Sequence, residues 1–500
     1  MLEYSPRNGY VNDFTIIKKD GIYHLFHIIG ERKKYSGSLV DAKDHLGHAV
    51  STDLVNWTEK PVINGLRGAC FCLEHEDRYA MLRGLIEISY SDNLFDWSKP
   101  EPISLDYTGW EDVYETEDAR DFAKGIYFAP RDPFIWHDTD NCRYLMFFST
   151  RVVSGDIHTR GCIGLAESTD LINWKPLSPA CGPGLHFYPE SPHLVDLNGK
   201  YHMFYHLSSE MGLRHAVSDK LEGPYTELEN MDILPGYIGA SETLKVGDDW
   251  YFFGRTMDRT EYRNQNRLCQ KNLALPLKLD AAEDDRIIFR ALPFLDDMRD
   301  ECLFCSDENP IDDFWRVDSG DWRINKSEAM SPNRFQPIPE NSLFGSAYFS
   351  SGMTSLEHSC RNLDMEFDLQ IPSFNQSGSH QHAGFMLDGI TFDFDLFQKA
   401  LICQDADRNV IALKVLPYIK NDKYYHFRVF RNDNMTQVFM DDELLMYLPA
   451  YGDGSGEIAF VANHGDVIIK DISIWSLKTE DSKGFTKDDP QGKIMNGIFY

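Results

Sequence analysis

Gly199-Lys200-Tyr201-His202-Met203-Phe204-Tyr205 begins with a turn and continues as an aromatic and apolar run. A short run of this kind behind a turn reads as a buried β-strand. The pattern recurs as Gly21-Ile22-Tyr23-His24-Leu25-Phe26-His27, Asp77-Arg78-Tyr79-Ala80-Met81-Leu82, Asn141-Cys142-Arg143-Tyr144-Leu145-Met146-Phe147-Phe148 and Asp249-Trp250-Tyr251-Phe252-Phe253. The tyrosine anchors Tyr23, Tyr79, Tyr144, Tyr201 and Tyr251 are spaced by ~50–65 residues, a period that suits repeated multi-strand units. A second pattern alternates with the first. It reads Ser51-Thr52-Asp53-Leu54-Val55-Asn56-Trp57, Ser91-Asp92-Asn93-Leu94-Phe95-Asp96-Trp97, Ser168-Thr169-Asp170-Leu171-Ile172-Asn173-Trp174 and, more loosely, Ser218 to Tyr225. Two strand-rich patterns in fixed alternation predict a five-bladed β-propeller over residues 1–295.

Beyond it the anchors stop. Residues 296–312 are acidic and irregular, with Asp296, Asp297, Asp300, Glu301 and Asp307-Glu308-Asn309-Pro310, and read as a linker. Alternation with period two returns in Asp364-Met365-Glu366-Phe367-Asp368-Leu369 and Tyr425-His426-Phe427-Arg428-Val429-Phe430-Arg431. Many short strands with intervening turns predict an antiparallel β-sandwich over 313–478, followed by a polar tail at 479–500. The fold class expected is all-β.

The 500 residues carry 49 basic and 79 acidic side chains, a formal net charge of -30. Such a surface repels phosphate backbones and anionic lipid, which argues against nucleic-acid and membrane partners. A neutral ligand is compatible with it, and the 13% of aromatic residues supplies platforms for sugar rings as well as β-sheet cores. Ten cysteines are too few for a disulfide scaffold. The close pairs Cys70/Cys72 and Cys302/Cys305 lack a matching second pair, so no metal site is expected. His380-Gln381-His382 would place two rings on one face of a strand, a weak metal signal. Met1 to Pro6 shows neither the basic nor the apolar region of a secretory signal, and free thiols in such a chain give an expectation of a cytoplasmic protein.

Upstream of each anchor lies a chemically distinctive residue: Asp13, Cys70, Asp132, Glu190 and Glu242, nine to twelve positions before their tyrosines. The strand before each anchor is the innermost of its blade, so equivalent positions converge on one mouth of the channel. Like charges gathered there raise each other's pKa, a cost met mainly at functional sites. Two carboxyl groups with separated pKa values are the machinery of glycoside hydrolysis: one donates a proton, the other attacks carbon or activates water.

On these residues the chain resembles glycoside hydrolase family 32, the invertase, inulinase and levanase group. Tyr10-Val11-Asn12-Asp13 resembles the family's opening Asn-Asp box, Arg131-Asp132-Pro133 its Arg-Asp-Pro motif and Pro189-Glu190-Ser191-Pro192 its Glu-Cys-Pro motif. The resemblance implies cleavage of terminal fructofuranosides of the sucrose and fructo-oligosaccharide type with retention. Asp13 would be the nucleophile, Glu190 the general acid/base and Asp132 a transition-state stabiliser. Asn12, Arg131 and Glu242 would bind the sugar, with Tyr10, Phe14, Phe71 and Tyr188 covering its ring, and no cofactor is implied. The chain departs from the family in three places. Phe14-Thr15-Ile16 follows the nucleophile where the family has Pro-Asn-Gly, Gly68-Ala69-Cys70-Phe71-Cys72 occupies the place of a Phe-Ser-Gly-Ser box, and Glu242 stands where the family has Gln.

Two other readings stay open on the sequence. Glu190-Ser191-Pro192-His193 and Gly223-Pro224-Tyr225 also resemble glycoside hydrolase family 43, whose inverting arabinofuranosidases and xylosidases use the same propeller. The altered boxes would also suit a non-catalytic sugar-binding propeller, although such a module has no need of a proton donor.

Overall fold

The computed structural model describes residues 3–6, 10–31, 40–66, 70–118, 120–124, 126, 130–207, 212–228, 232–236, 240–257, 271–324, 338–347, 351–357, 359–372, 382–432, 435–449, 452 and 454–478. The tail at 479–500 and His380 lie outside them. The chain divides into two units, one of residues 2–233 and 237–288, the other of 289–500 with 234–236. Among the described residues there are strands and short 3-10 turns but no α-helix.

The first unit is a five-bladed propeller. Its innermost strands are Tyr10–Lys19, Cys70–His75, Arg131–Asp138, Pro189–Leu197 and Glu242–Val246. Each is followed across a tight turn by the strand that carries the tyrosine anchor, as in Ile22–Glu31 and Lys200–Leu207. Each innermost strand packs on the next in chain order, and the fifth packs on the first, which closes the ring. Tyr4 and Leu273 exchange backbone hydrogen bonds of 3.2 and 2.9 Å, tying the start of the chain to residues beyond the anchor strand of blade 5.

The Ser-x-Asp-Leu-x-Asn-Trp pattern is a capped turn. In blade 3, Ser168 Oγ donates to Asp170 Oδ1 at 2.9 Å, and that oxygen accepts the backbone N–H of Asn173 at 2.7 Å. Trp174 Nε1 donates to the Leu171 carbonyl at 3.0 Å. The turn holds Leu54, Leu94 and Leu171 at φ of 67, 66 and 62°, a left-handed conformation costly for leucine. Burial repays that cost, because Leu94 and Leu171 have no exposed surface.

The second unit stacks two antiparallel sheets. Phe367 of one meets Phe460 of the other with ring centroids 4.9 Å apart, and Phe385 stacks on Phe392 at 4.8 Å. The stretch 296–312, expected as a linker, differs from that expectation. It contains the strand Arg299–Cys305, which pairs antiparallel with Asp466–Leu477. Phe304 and Ile311 are fully buried in this unit's core, and Arg299 Nε pairs with the buried Asp364 at 2.7 Å. A few apolar anchors outweigh the acidic surroundings. His382 Nδ1 is hydrogen-bonded to Asp393 Oδ2 at 2.5 Å.

Candidate active site

Three innermost strands share an irregularity that the other two lack. Register with the second strand slips between Val11 and Phe14 in blade 1, Arg131 and Phe134 in blade 3, and Glu190 and His193 in blade 4. Cys70–His75 and Glu242–Val246 pair without interruption. Bulges re-aim side chains at the rims of sheets, and here they fall on Asp13 and Asp132 and directly after Glu190, which stays paired with His206. Asp132 and Ser191 adopt φ of 55 and 51°. Asp tolerates that conformation comparatively well; Ser does so at a cost that points to an over-determined site.

The bulges bring blades 3 and 4 together. The Ser191 N–H donates to Asp132 Oδ2 at 3.2 Å, and Ser149 Oγ donates to the same oxygen at 3.4 Å. Arg131 Nη2 pairs with Glu190 Oε1, while its Nε lies 3.6 Å from Asp132 Oδ2. The same guanidinium lies over the Tyr188 ring, 4.6 Å from its centroid. Blade 1 enters through Asp13, whose charge acts on Asp132. Burial, and after it the Asp13 charge, push the Asp132 carboxyl up to about 6, with Arg131, the Ser191 N–H and Ser149 opposing. Arg255 reaches in from blade 5. Its Nη1 donates to Asn12 Oδ1, and its Nη2 stands 3.9 Å from Asp13 Oδ1.

Asn12, Asp13, Arg131, Asp132, Tyr188 and Glu190 are thus linked around one mouth. Four of the expected sugar-binding residues fare differently. The side chain of Tyr10 lies outside the described residues. Phe14 is 4% exposed and packs with Val11, Ile16 and Phe253. Phe71 is 8% exposed, with ring centroids 5.1 Å from Phe134 and 6.2 Å from His193. Both fill the seams between blades instead of offering an open face to a ring. Glu242 is 2% exposed, with Oε1 accepting from Thr15 Oγ1 at 2.9 Å. Its strand has no bulge, so the side chain stays inside the sheet seam and is no surface contact for a sugar. Tyr188 is buried as well and acts as the platform beneath Arg131.

Arg255 and Ser149 were not legible in the sequence. Ser149 follows the aromatic run within its anchor strand and Arg255 opens a short strand beyond the anchor strand of blade 5, where the repeat pattern carries no further signal. Among the described residues no group of three His, Cys, Asp or Glu side chains could hold a metal ion, and no helix is long and apolar enough to cross a membrane.

Residues 4–64, which include Asn12 and Asp13, match the glycosyl hydrolases family 32 N-terminal domain. The chain is 27% identical over 202 residues to an invertase of Schizosaccharomyces pombe, an alignment covering 35% of this chain and 31% of that protein. It is 28% identical over 274 residues to a fructan beta-fructosidase of Streptococcus mutans, covering 50% of this chain and 16% of that one. The chain therefore spans less than two thirds of the length of these curated relatives. Among solved structures, a beta-fructofuranosidase of Bombyx mori superposes with a TM-score of 0.59 at 15% identity, covering 95% of this chain and 93% of that one. Fructan 1-exohydrolase IIa of Cichorium intybus does so with a TM-score of 0.63 at 14% identity, covering 95% and 97%. At those identities the likeness is one of fold, a propeller followed by a sandwich. The matched opening segment and the sequence relatives make the chain similar to glycoside hydrolase family 32, and the shared fold agrees with that likeness.

Proposed function

We propose that this chain is a retaining glycoside hydrolase that releases fructose from terminal fructofuranosides of the sucrose and fructo-oligosaccharide type. The observation that carries the reading is the convergence of three bulged strands on Asp13, Asp132 and Glu190, with Asp13 inside the segment matched to family 32.

In this reading Asp13 attacks the anomeric carbon as the glycosidic C–O bond breaks, and Glu190 gives its proton to the departing oxygen. A water then replaces the leaving group. Glu190 takes its proton, the water oxygen bonds to the anomeric carbon, and Asp13 leaves as a carboxylate. Arg131, braced on Tyr188, holds Glu190 Oε1 and leaves the other oxygen for proton transfer. Arg255 and Asn12 orient Asp13. Asp132 holds ring hydroxyls as positive charge develops on the sugar. A levansucrase of Erwinia amylovora is also among the relatives, 24% identical over 230 residues, so the test includes sugar acceptors as well as water.

Sucrose, inulin and levan fragments and an aryl arabinofuranoside are to be incubated with the protein, and the first-formed product anomer followed by NMR. Release of β-configured fructose, or its transfer to a sugar acceptor, is expected. Cleavage of the arabinofuranoside with inversion would overturn the reading in favour of the family 43 chemistry.

A further inference from the structure

Thr15 sits two residues beyond Asp13 and binds three blades at once. Its Oγ1 donates to Glu242 Oε1 of blade 5 at 2.9 Å and accepts the backbone N–H of Cys72 of blade 2 at 3.1 Å. Thr15 has no exposed surface, while Glu242 and Cys72 are 2% and 4% exposed. A hydroxyl can donate and accept together. A valine would suit the strand equally well and would serve neither partner.

Glu242 is unusual for a residue at such a seam. Its Oε2 is buried with no partner among the described residues. Burial pushes its carboxyl well above the ordinary range, opposed by the Ile16 N–H and the Thr15 hydroxyl. Its carboxyl is held in the seam through its hydrogen bond with Thr15.

These residues lie in the three segments where the chain departs from the family's boxes. Thr15 lies in the segment that replaces Pro-Asn-Gly, Cys72 in the one that replaces Ser-Gly-Ser, and Glu242 stands in place of Gln. Thr15 contacts both Glu242 and Cys72, so the three residues form one latch.

We propose that Thr15 is a positioning residue for Asp13, locking the strand behind the blade 1 bulge to blades 5 and 2 through Glu242 and Cys72. The proposal rests on the reading of Asp13 as the nucleophile. The bulge frees Asn12 and Asp13 from the ladder, so their direction depends on what holds the strand just after them. Arg255 steadies the bulge from the open side, and Thr15 anchors it from below.

Thr15→Val should lower kcat on sucrose about ten- to a hundredfold with KM changed by less than about twofold, because attack geometry is lost while sugar contacts remain. Thr15→Ser, which keeps the hydroxyl, should recover most of that loss. If Thr15→Val does not fold, Glu242→Leu against Glu242→Gln poses the same contrast, since only Gln keeps an acceptor for Thr15. Equal behaviour of Val and Ser, a rise in KM at constant kcat, or a rate loss matching the unfolded fraction would each overturn the proposal. Should the wild-type protein cleave no fructoside, the fructosidase reading fails by that result alone. The latch is then read from iodoacetamide alkylation mapped to the Cys72 peptide. Faster labelling in the Val variant than in Ser and wild type supports it, and equal labelling sinks it.

Discussion

Arg131 of blade 3 and Glu190 of blade 4 are joined through Nη2 and Oε1 across the mouth of the propeller, with the guanidinium resting on the Tyr188 ring. Charge and planarity are both in use at that joint. Arg131→Lys keeps the charge but loses the fork and the stacked plane. It should reduce kcat/KM about tenfold, the equivalent of one charge-assisted hydrogen bond of roughly 1.5 kcal/mol, with little change in melting temperature. Full activity in the lysine variant would show that the pair is incidental.

Glu190→Gln should abolish turnover of sucrose, whose leaving oxygen needs a proton, by about a hundredfold or more. A fructoside with an activated aryl leaving group should be spared in its first step. Equal loss on both substrates, measured as kcat/KM, would assign Glu190 to binding instead of proton transfer.

Asp132 links activity to stability. Its folded carboxyl is raised to about 6 from the ordinary 3.8, by burial first and the Asp13 charge second. A raised acid binds more protons folded than unfolded, so its contribution to stability is present in acid and is lost as pH rises from about 4 through 6. At 1.36 kcal/mol per pKa unit the loss is on the order of 2–3 kcal/mol. Asp132→Asn removes the charge, so at pH 7 the variant should melt higher than wild type while its kcat falls. Melting temperatures of both proteins between pH 4 and 8 check this. A gap that stays constant across the range would contradict it.

Arg151 and Glu115 form an ion pair of 3.1 Å with both side chains only 1% exposed. Arg151 also donates to the carbonyls of Phe187 and Ile157 at 2.8 and 3.0 Å. Arg151→Met takes the guanidinium away from a buried carboxylate, which should cost about 3–5 kcal/mol. Urea unfolding measures it, and a cost below about 1 kcal/mol would refute it. Because Phe187 leads directly into Tyr188 and Glu190, the folded fraction of this variant should also turn over more slowly.

The five blades were legible because their signals are local. An aromatic run behind a turn makes a strand wherever it occurs, and Ser168, Asp170, Leu171 and Trp174 make their turn from hydrogen bonds within seven residues. The carboxylates were legible for the same reason, since each belongs to a repeat. Their aim was not. Asp13 and Asp132 lie within a slip of register between neighbouring strands and Glu190 directly before one, whereas Glu242 lies in a strand without a slip and is buried. Spacing from a tyrosine cannot reveal a slip that is settled by pairing between two strands. Arg255 reaches Asn12 across 243 positions of sequence, and Arg299–Cys305 became a strand by pairing with residues near the end of the sandwich. Local hydrogen bonding and hydrophobic period, readable along the chain, determined the blades and nominated their acids. Closure of the ring decided which acids meet, which arginines serve them and which carboxyl is sealed in the seam, because those contacts exist only between segments brought together by folding.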